Sequence, residues 1–416
     1  MIRVSIVSAV AVPALTAAAF TCYQPAAATA PDPITEWSLA ASASATASSM
    51  APLRTPITLA LVHLAMYDAV NSVLGEHEPY AAAQPVVRPA SAYAAAVEAG
   101  YRVLLAEFPM RQEALYSVYQ TLRERVPEGP AKENGTAVGV LAARHLLALR
   151  VNDGRNDLPA HVPRSGPGVW IPTPPAFLPA TTRFLALVTP FTMDSPSQFR
   201  PSGPTLLTSR RWIEDYEEVK AFGVKKDSSR SDEQTATGLF WEPFAGTVWP
   251  ASIRRLAGEQ LLDLADSARF QAAAFSAFAD GIIACWDAKF HYKFWRPVTA
   301  IQHGDTDDTE RTEPDADWEP LAITPNFPEY PSGHACATAA VTHVIEDFFP
   351  HDVLIPARNV VTGEERFYRK ANDAVNEVVE ARMLLGVHFR SSNEDGADIG
   401  RKVARQIRSR WFKPHR

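Results

Sequence analysis

The residues whose types and spacing could do chemistry lie in the last third of the chain. Lys289 falls at helical spacing from Ile282, Cys285 and Trp286, so its ammonium belongs to an apolar stripe. Arg296, seven residues on, returns to nearly the same face after about 700° of helix. Pro297 should end that helix by pushing Arg296 out of helical geometry. Arg382 shares a helix face with Val375, Val378 and Val379, and so it also aims inward. An unpartnered buried charge is costly, and the sequence offers no acidic residue at an equally inward position. An anion is the economical partner for these three cations.

Residues 331–334, "PSGH", precede an apolar run and place Ser332 and Gly333 at a helix start. There unpaired N–H groups and a partial positive charge favour an anion. Gly333 is expected to let the backbone approach the anion closely. His334 begins the stripe continued by Ala337, Val341, Val344, Ile345 and Phe348, so its ring faces the same interior. Gly386 should terminate the helix of Arg382 and release Val387 and His388 into a turn. Alone, each residue has an ordinary structural reading as an ion-pair member or a satisfied histidine; residues 201–204, "PSGP", are a near copy without the histidine. The ordered set is what points to chemistry.

The elements that must position this set read as helical almost throughout. Helices are expected over 34–50, 55–74, 90–106, 110–125, 131–150, 207–222, 251–264, 267–295, 334–348, 371–385 and 394–411, with an irregular Pro- and Gly-rich connection over 151–206. That divides the chain into a helical region over 31–250 and a C-terminal bundle over 251–416. Residues 239–249, "LFWEPFAGTVW", should lie between helices as packing or as the wall of a substrate entry. The loop 303–319 carries eight acidic residues and one basic. Asp305, Asp307 and Glu310 hint at calcium spacing, but the register is incomplete, and a solvated acidic loop is the simpler reading.

A length of 416 residues, 46% hydrophobic and 21% charged, suits a large globular core, and a net charge of −7 provides no basic field for nucleic acid or an anionic membrane. The N-terminus, "MIR" followed by an apolar run and by Ala28, Thr29 and Ala30, reads as a signal peptide over 1–30, which implies a secreted or periplasmic protein. Phe20 and Thr21 are poor residues before a lipidated Cys22. No later stretch has the uninterrupted apolar length of a membrane span. Cys285 and Cys336 are expected to pack as small apolar residues, although an exported compartment permits one bridge.

Lys289 six residues before Arg296 and Pro297, then Pro331 to His334, then Arg382 five residues before His388, together resemble the signature of the vanadium-dependent haloperoxidase and type 2 phosphatidic acid phosphatase superfamily. "PITEW" and "LVHLAMYDAVNSV" look like segments of its soluble bacterial haloperoxidase-like branch. The resemblance implies an all-α fold of two packed helical bundles, with vanadate, or phosphate, held by Lys289, Arg296, Ser332, Gly333, Arg382 and His388. In a haloperoxidase it implies His388 as metal ligand, His334 in proton transfer and Lys289 polarising hydrogen peroxide, with halide as co-substrate. In a phosphatase acting on a phosphate ester it implies His388 as nucleophile and His334 as acid. A non-catalytic oxyanion-binding protein is the third reading. The length, "FPEYPSGH" and "KFWRP" favour the haloperoxidase, and Phe327 is similar to chloroperoxidase members at that place. The chain departs from the pattern at Ala381 and at Ser392, where the family has an aspartate that could orient His388; Glu394, Asp395 or a backbone carbonyl are the expected substitutes.

Overall fold

A computed structural model describes residues 32–157, 159, 165–243, 245–307, 309–349 and 353–415. The expected signal peptide lies outside the described residues.

The described chain is all-α apart from one two-stranded hairpin. Its first five helices are α1 (Pro33–Ala47), α2 (Thr55–Leu74), α3 (Ala92–Glu107), α4 (Gln112–Arg123) and α5 (Pro130–Leu149). α2 is apolar on nearly every side, with Ile57, Leu61, Val62 and Leu64 fully buried, and α1, α3 and α5 pack around it. Residues 52–74 are long and apolar enough to cross a membrane, yet they are buried in protein instead. Between α5 and the next helix the described residues are irregular save for a short 3-10 turn at Arg183–Leu187. Asp280 stitches this segment to the core: its carboxylate accepts from Phe191 N at 2.7 Å and from Thr192 N and Oγ1 at 2.6 Å.

α6 (Arg210–Phe222), α7 (Asp232–Phe240) and α8 (Ala245–Glu259) follow. The aromatic-rich stretch 239–249 is therefore mostly helical, with only 241–244 between α7 and α8; a capping box at Ser231 and Gln234 starts α7. α9 (Leu264–Tyr292) is the long central helix and packs on both α2 and α11 (Gly333–Phe348). α9 ends before the expected residue. Lys293 takes a left-handed φ of 54° as its C-cap, and Arg296 is extended ahead of the short α10 (Pro297–Gln302). Pro at the first position of α10 explains the restart.

The hairpin β1 (Ile355–Arg358) and β2 (Glu365–Tyr368) is antiparallel, with Ile355 opposite Tyr368. α12 (Ala371–Leu384) stops as expected, with Gly386 at φ +73°. α13 (Arg390–Arg410) lies directly on α11. A side chain at Gly400 would stand 2.4 Å from Cys336 O, and one at Gly396 would stand 2.7 Å from Ser332 O. Cys285 and Cys336 are free thiols, fully buried. In the acidic loop, Asp307 is buried and accepts from Trp212 Nε1 at 2.8 Å, so it serves packing rather than a cation.

Candidate oxyanion site

Four elements deliver the expected residues to one buried place. α9 contributes Lys289, the extended link after it Arg296, the start of α11 Ser332, Gly333 and His334, and the end of α12 with its following turn Arg382 and His388. None of the six side chains is more than 9% exposed. Arg296 does not arrive along the Lys289 face, as helical continuation would have it. The left-handed residue 293 turns the chain, and the guanidinium enters from the side: its Nε donates to Phe327 O at 2.9 Å and its Nη1 to Val387 O at 2.8 Å. Lys289 donates to three backbone carbonyls, those of Pro328 (3.0 Å), Glu329 (2.8 Å) and Pro331. Its hydrogens hold the loop before α11, and its charge reaches the site through space. Gly333 also has a packing reason: a Cβ there would meet the Trp286 ring at 2.9 Å.

Sequence reasoning found no inward acid and missed Glu329. This residue is fully buried, and its Oε1 lies 2.6 Å from His388 Nδ1 and accepts from Phe389 N at 3.2 Å. Its Oε2 accepts from Ser392 Oγ at 2.6 Å. A carboxylate on Nδ1 fixes the tautomer, so His388 Nε2 is unprotonated and accepts from Arg296 Nη1 at 3.3 Å. Ser392 thus binds the carboxylate that replaces the missing aspartate. The expected substitutes are engaged elsewhere: Glu394 pairs with Arg211 at 2.8 Å, and Asp395 accepts from Tyr330 Oη at 2.6 Å. The available signal was an acidic residue inside "FPEYPSGH", two positions before the motif proline.

Three cations here face one carboxylate. Burial holds Lys289 down at about 8, Arg382 at about 9 and Arg296 at about 10. Burial pushes Glu329 up to about 7 against the pull of Lys289. Burial, and then the neighbouring arginines, keep the His334 and His388 imidazoles neutral well below the usual histidine range. Arg296 Nη2, Arg382 Nε and Ser332 Oγ are buried and have no hydrogen-bond partner. Ser332 is the N-cap of α11, yet its side chain does not cap the helix. Idle buried donors of this kind are rare, and a tetrahedral oxyanion is what would use them all. The donor set fits such a group, with the unprotonated His388 Nε2, which here accepts from Arg296 Nη1, beside it as ligand or nucleophile.

The segment joining α7 to α8 closes the site. Trp241 O accepts from Arg382 Nη1 at 2.8 Å, and Pro243 O lies 3.1 Å from His334 Nε2. The 239–249 region is thus a wall of the pocket as well as packing. Phe327 covers the other side, its ring centre 5.3 Å from Lys289 Nζ and 5.0 Å from the Arg296 guanidinium.

Residues 269–414 match the family described as the VCPO second helical-bundle domain. A vanadium chloroperoxidase of Curvularia inaequalis is 29% identical over 144 residues, covering 29% of this chain. The match spans about a quarter of that relative's length, 24%. A bacterial vanadium-dependent iodoperoxidase of known structure superposes with a TM-score of 0.78 at 22% identity, covering 94% of this chain and 98% of the other. An apo-type bacterial vanadium-dependent chloroperoxidase gives 0.68 at 18% identity, covering 86% and 92%. The fold is therefore that of the bacterial vanadium haloperoxidases.

Proposed function

We propose that this chain, with its second bundle of the vanadium chloroperoxidase type, is a vanadium-dependent haloperoxidase that uses hydrogen peroxide to oxidise halide to hypohalous acid. The observation that carries the reading is the set of idle buried donors on Arg296, Arg382 and Ser332 beside the His388 Nε2 lone pair. Bound vanadate supplies a Lewis acid that activates peroxide without changing its own oxidation state.

The protein's residues do the rest. Arg296 and Arg382 would hold the oxyanion oxygens and offset their charge, Ser332 Oγ would donate a further hydrogen bond, and His388 Nε2 would be the ligand to the metal. Glu329 keeps the His388 hydrogen on Nδ1. Lys289 fixes the Pro328–Pro331 loop and adds a positive field toward the peroxide. His334 is a neutral imidazole beside the site, suited to take a proton from entering peroxide and return it to the departing oxygen. In balance, peroxide, halide and one proton give hypohalous acid and water: the O–O bond breaks and the halide is oxidised. The sealed, low-dielectric surroundings strengthen every charge interaction involved. With a leader over residues 1–30, the enzyme would act outside the cytoplasm.

The test is halogenation of a phenolic dye by metal-stripped protein with peroxide and bromide, before and after orthovanadate, with phosphate-ester hydrolysis followed on the same sample. Halogenation that requires vanadate supports the reading. Hydrolysis that vanadate suppresses, without halogenation, would assign the same residues to a phosphatase with His388 as nucleophile.

A further inference from the structure

None of the six side chains gathered at the pocket comes from the β1–β2 hairpin, but the hairpin is tied to the segment that closes the pocket. Asn359, buried just after β1, donates from Nδ2 to the carbonyl of Phe240, the last residue of α7, at 3.0 Å. Arg366 of β2 lays its guanidinium over the Phe240 ring, 4.4 Å from its centre. Two donors from β2, Arg366 Nη1 and Tyr368 Oη, reach Oε1 of Glu377 on α12 at 2.6 and 2.8 Å. The same oxygen accepts from the indole Nε1 of Trp241 at 2.8 Å. Three donors therefore converge on one carboxylate oxygen, and the Arg366 charge offsets that of the carboxylate.

Trp241 is fully buried, and its ring meets those of Phe240, Trp249 and Tyr368 with centres 5.0, 5.9 and 6.5 Å away. These contacts and the indole bond fix its plane. Its carbonyl accepts from Arg382 Nη1 at 2.8 Å. Glu377 and Arg382 lie five residues apart on α12, about 7.5 Å along the axis, so this helix grips one residue at two points. Glu377 takes the indole, and Arg382 takes the carbonyl. A carbonyl holds a guanidinium in place without cancelling its charge, which a carboxylate would do. Arg382 thus stays cationic in its dealings with an anion, and its buried Nε is left idle.

We propose that Glu377 is a positioning residue for Arg382: by seating the Trp241 indole it sets the carbonyl that aims the Arg382 guanidinium at the oxyanion. Glu377 acts only through Trp241, since its own hydrogen bonds run to Trp241 and to β2. The hairpin then has a task, because Arg366 and Tyr368 hold Glu377 in place. The inference rests on the oxyanion reading of the pocket given above.

The experiment is equilibrium binding of orthovanadate and of inorganic phosphate to the full chain, beside vanadate-dependent halogenation and melting temperature. Trp241→Phe keeps a ring and removes the N–H; it and Glu377→Ala should each weaken both oxyanions by about tenfold, the scale of partners that orient a ligand. Glu377→Gln keeps an accepting oxygen for the indole and should recover most of that loss. In an Arg382→Met background Trp241→Phe should cost no further affinity, because the group it aims is gone. A merely structural role would lower the melting temperature and leave the affinity of the folded protein unchanged. Unchanged affinity in Trp241→Phe and Glu377→Ala, or losses that add to that of Arg382→Met, would overturn the assignment while wild-type halogenation left the function standing. A wild type that binds neither oxyanion would overturn both.

Discussion

Glu329 and His388, 59 residues apart in the chain, are joined by a 2.6 Å contact between a fully buried carboxylate and an imidazole Nδ1. Partners of this kind commonly matter about 10- to 100-fold in affinity or activity. Glu329→Gln should therefore weaken vanadate binding and turnover by about that factor. Returning the family aspartate should compensate: Glu329→Gln with Ser392→Asp should recover part of the loss, whereas Ser392→Asp alone should destabilise by crowding two carboxylates. Vanadate titration and melting curves of the four proteins decide it. Purely additive losses would show that the two positions do not share one task.

The two histidines should separate by readout. His388→Ala should abolish turnover and strongly weaken vanadate binding, because a carboxylate on Nδ1 keeps its Nε2 unprotonated at the site. His334→Ala should lower turnover by about 100-fold or more, the scale of general acid–base catalysis, while oxyanion affinity changes little. Equilibrium binding of vanadate beside steady-state rates measures the split, and full activity in His388→Ala would remove the whole site assignment.

Anion affinity should depend on pH through Lys289. In the empty site burial brings its pKa down to about 8, and a bound dianion favours the charged ammonium and so raises that value. Binding therefore takes up a proton above about pH 8, and affinity falls toward tenfold per pH unit there while staying level below. Sulfate is the suitable probe because its own charge is constant over this range. Lys289→Met should bind more weakly and lose the slope between about pH 8 and 9, below the range in which Arg382 begins to lose its own charge.

The seat of α13 on α11 should tolerate no added carbon. Gly400→Ala brings a Cβ to 2.4 Å from Cys336 O and should cost about 1–3 kcal/mol by overpacking, read as a lower melting temperature. Gly258→Ala, in α8, meets nothing within 4 Å and should be neutral or slightly stabilising.

What was legible in the sequence was whatever repeats locally. The inward stripes of Lys289 and Arg382 and the stop at Gly386 follow from helical period and from glycine's freedom at φ +73°. The motif at 331–334 announced a helix start, and Ser332 does cap α11 in position while withholding its hydroxyl. Glu329 was not legible because it lies in a proline-flanked loop where no periodicity says which way a side chain faces. Arg296 was misplaced because Lys293, an ordinary residue to a propensity argument, adopts a left-handed turn and redirects the chain.

α9 runs for 29 residues, about 43 Å, and its ownership is divided. Its last turns carry Lys289 to the pocket, while its middle supports α2 and, through Asp280, the irregular 187–193 segment. The stretch recognisable by family begins at residue 269, inside this helix. The portion that kinship marks off is therefore not a portion that could be lifted out and keep its covering: severed there, α9 would present Phe275 and Phe278 to water. The pocket therefore borrows its rigidity from helices that carry none of its charged groups.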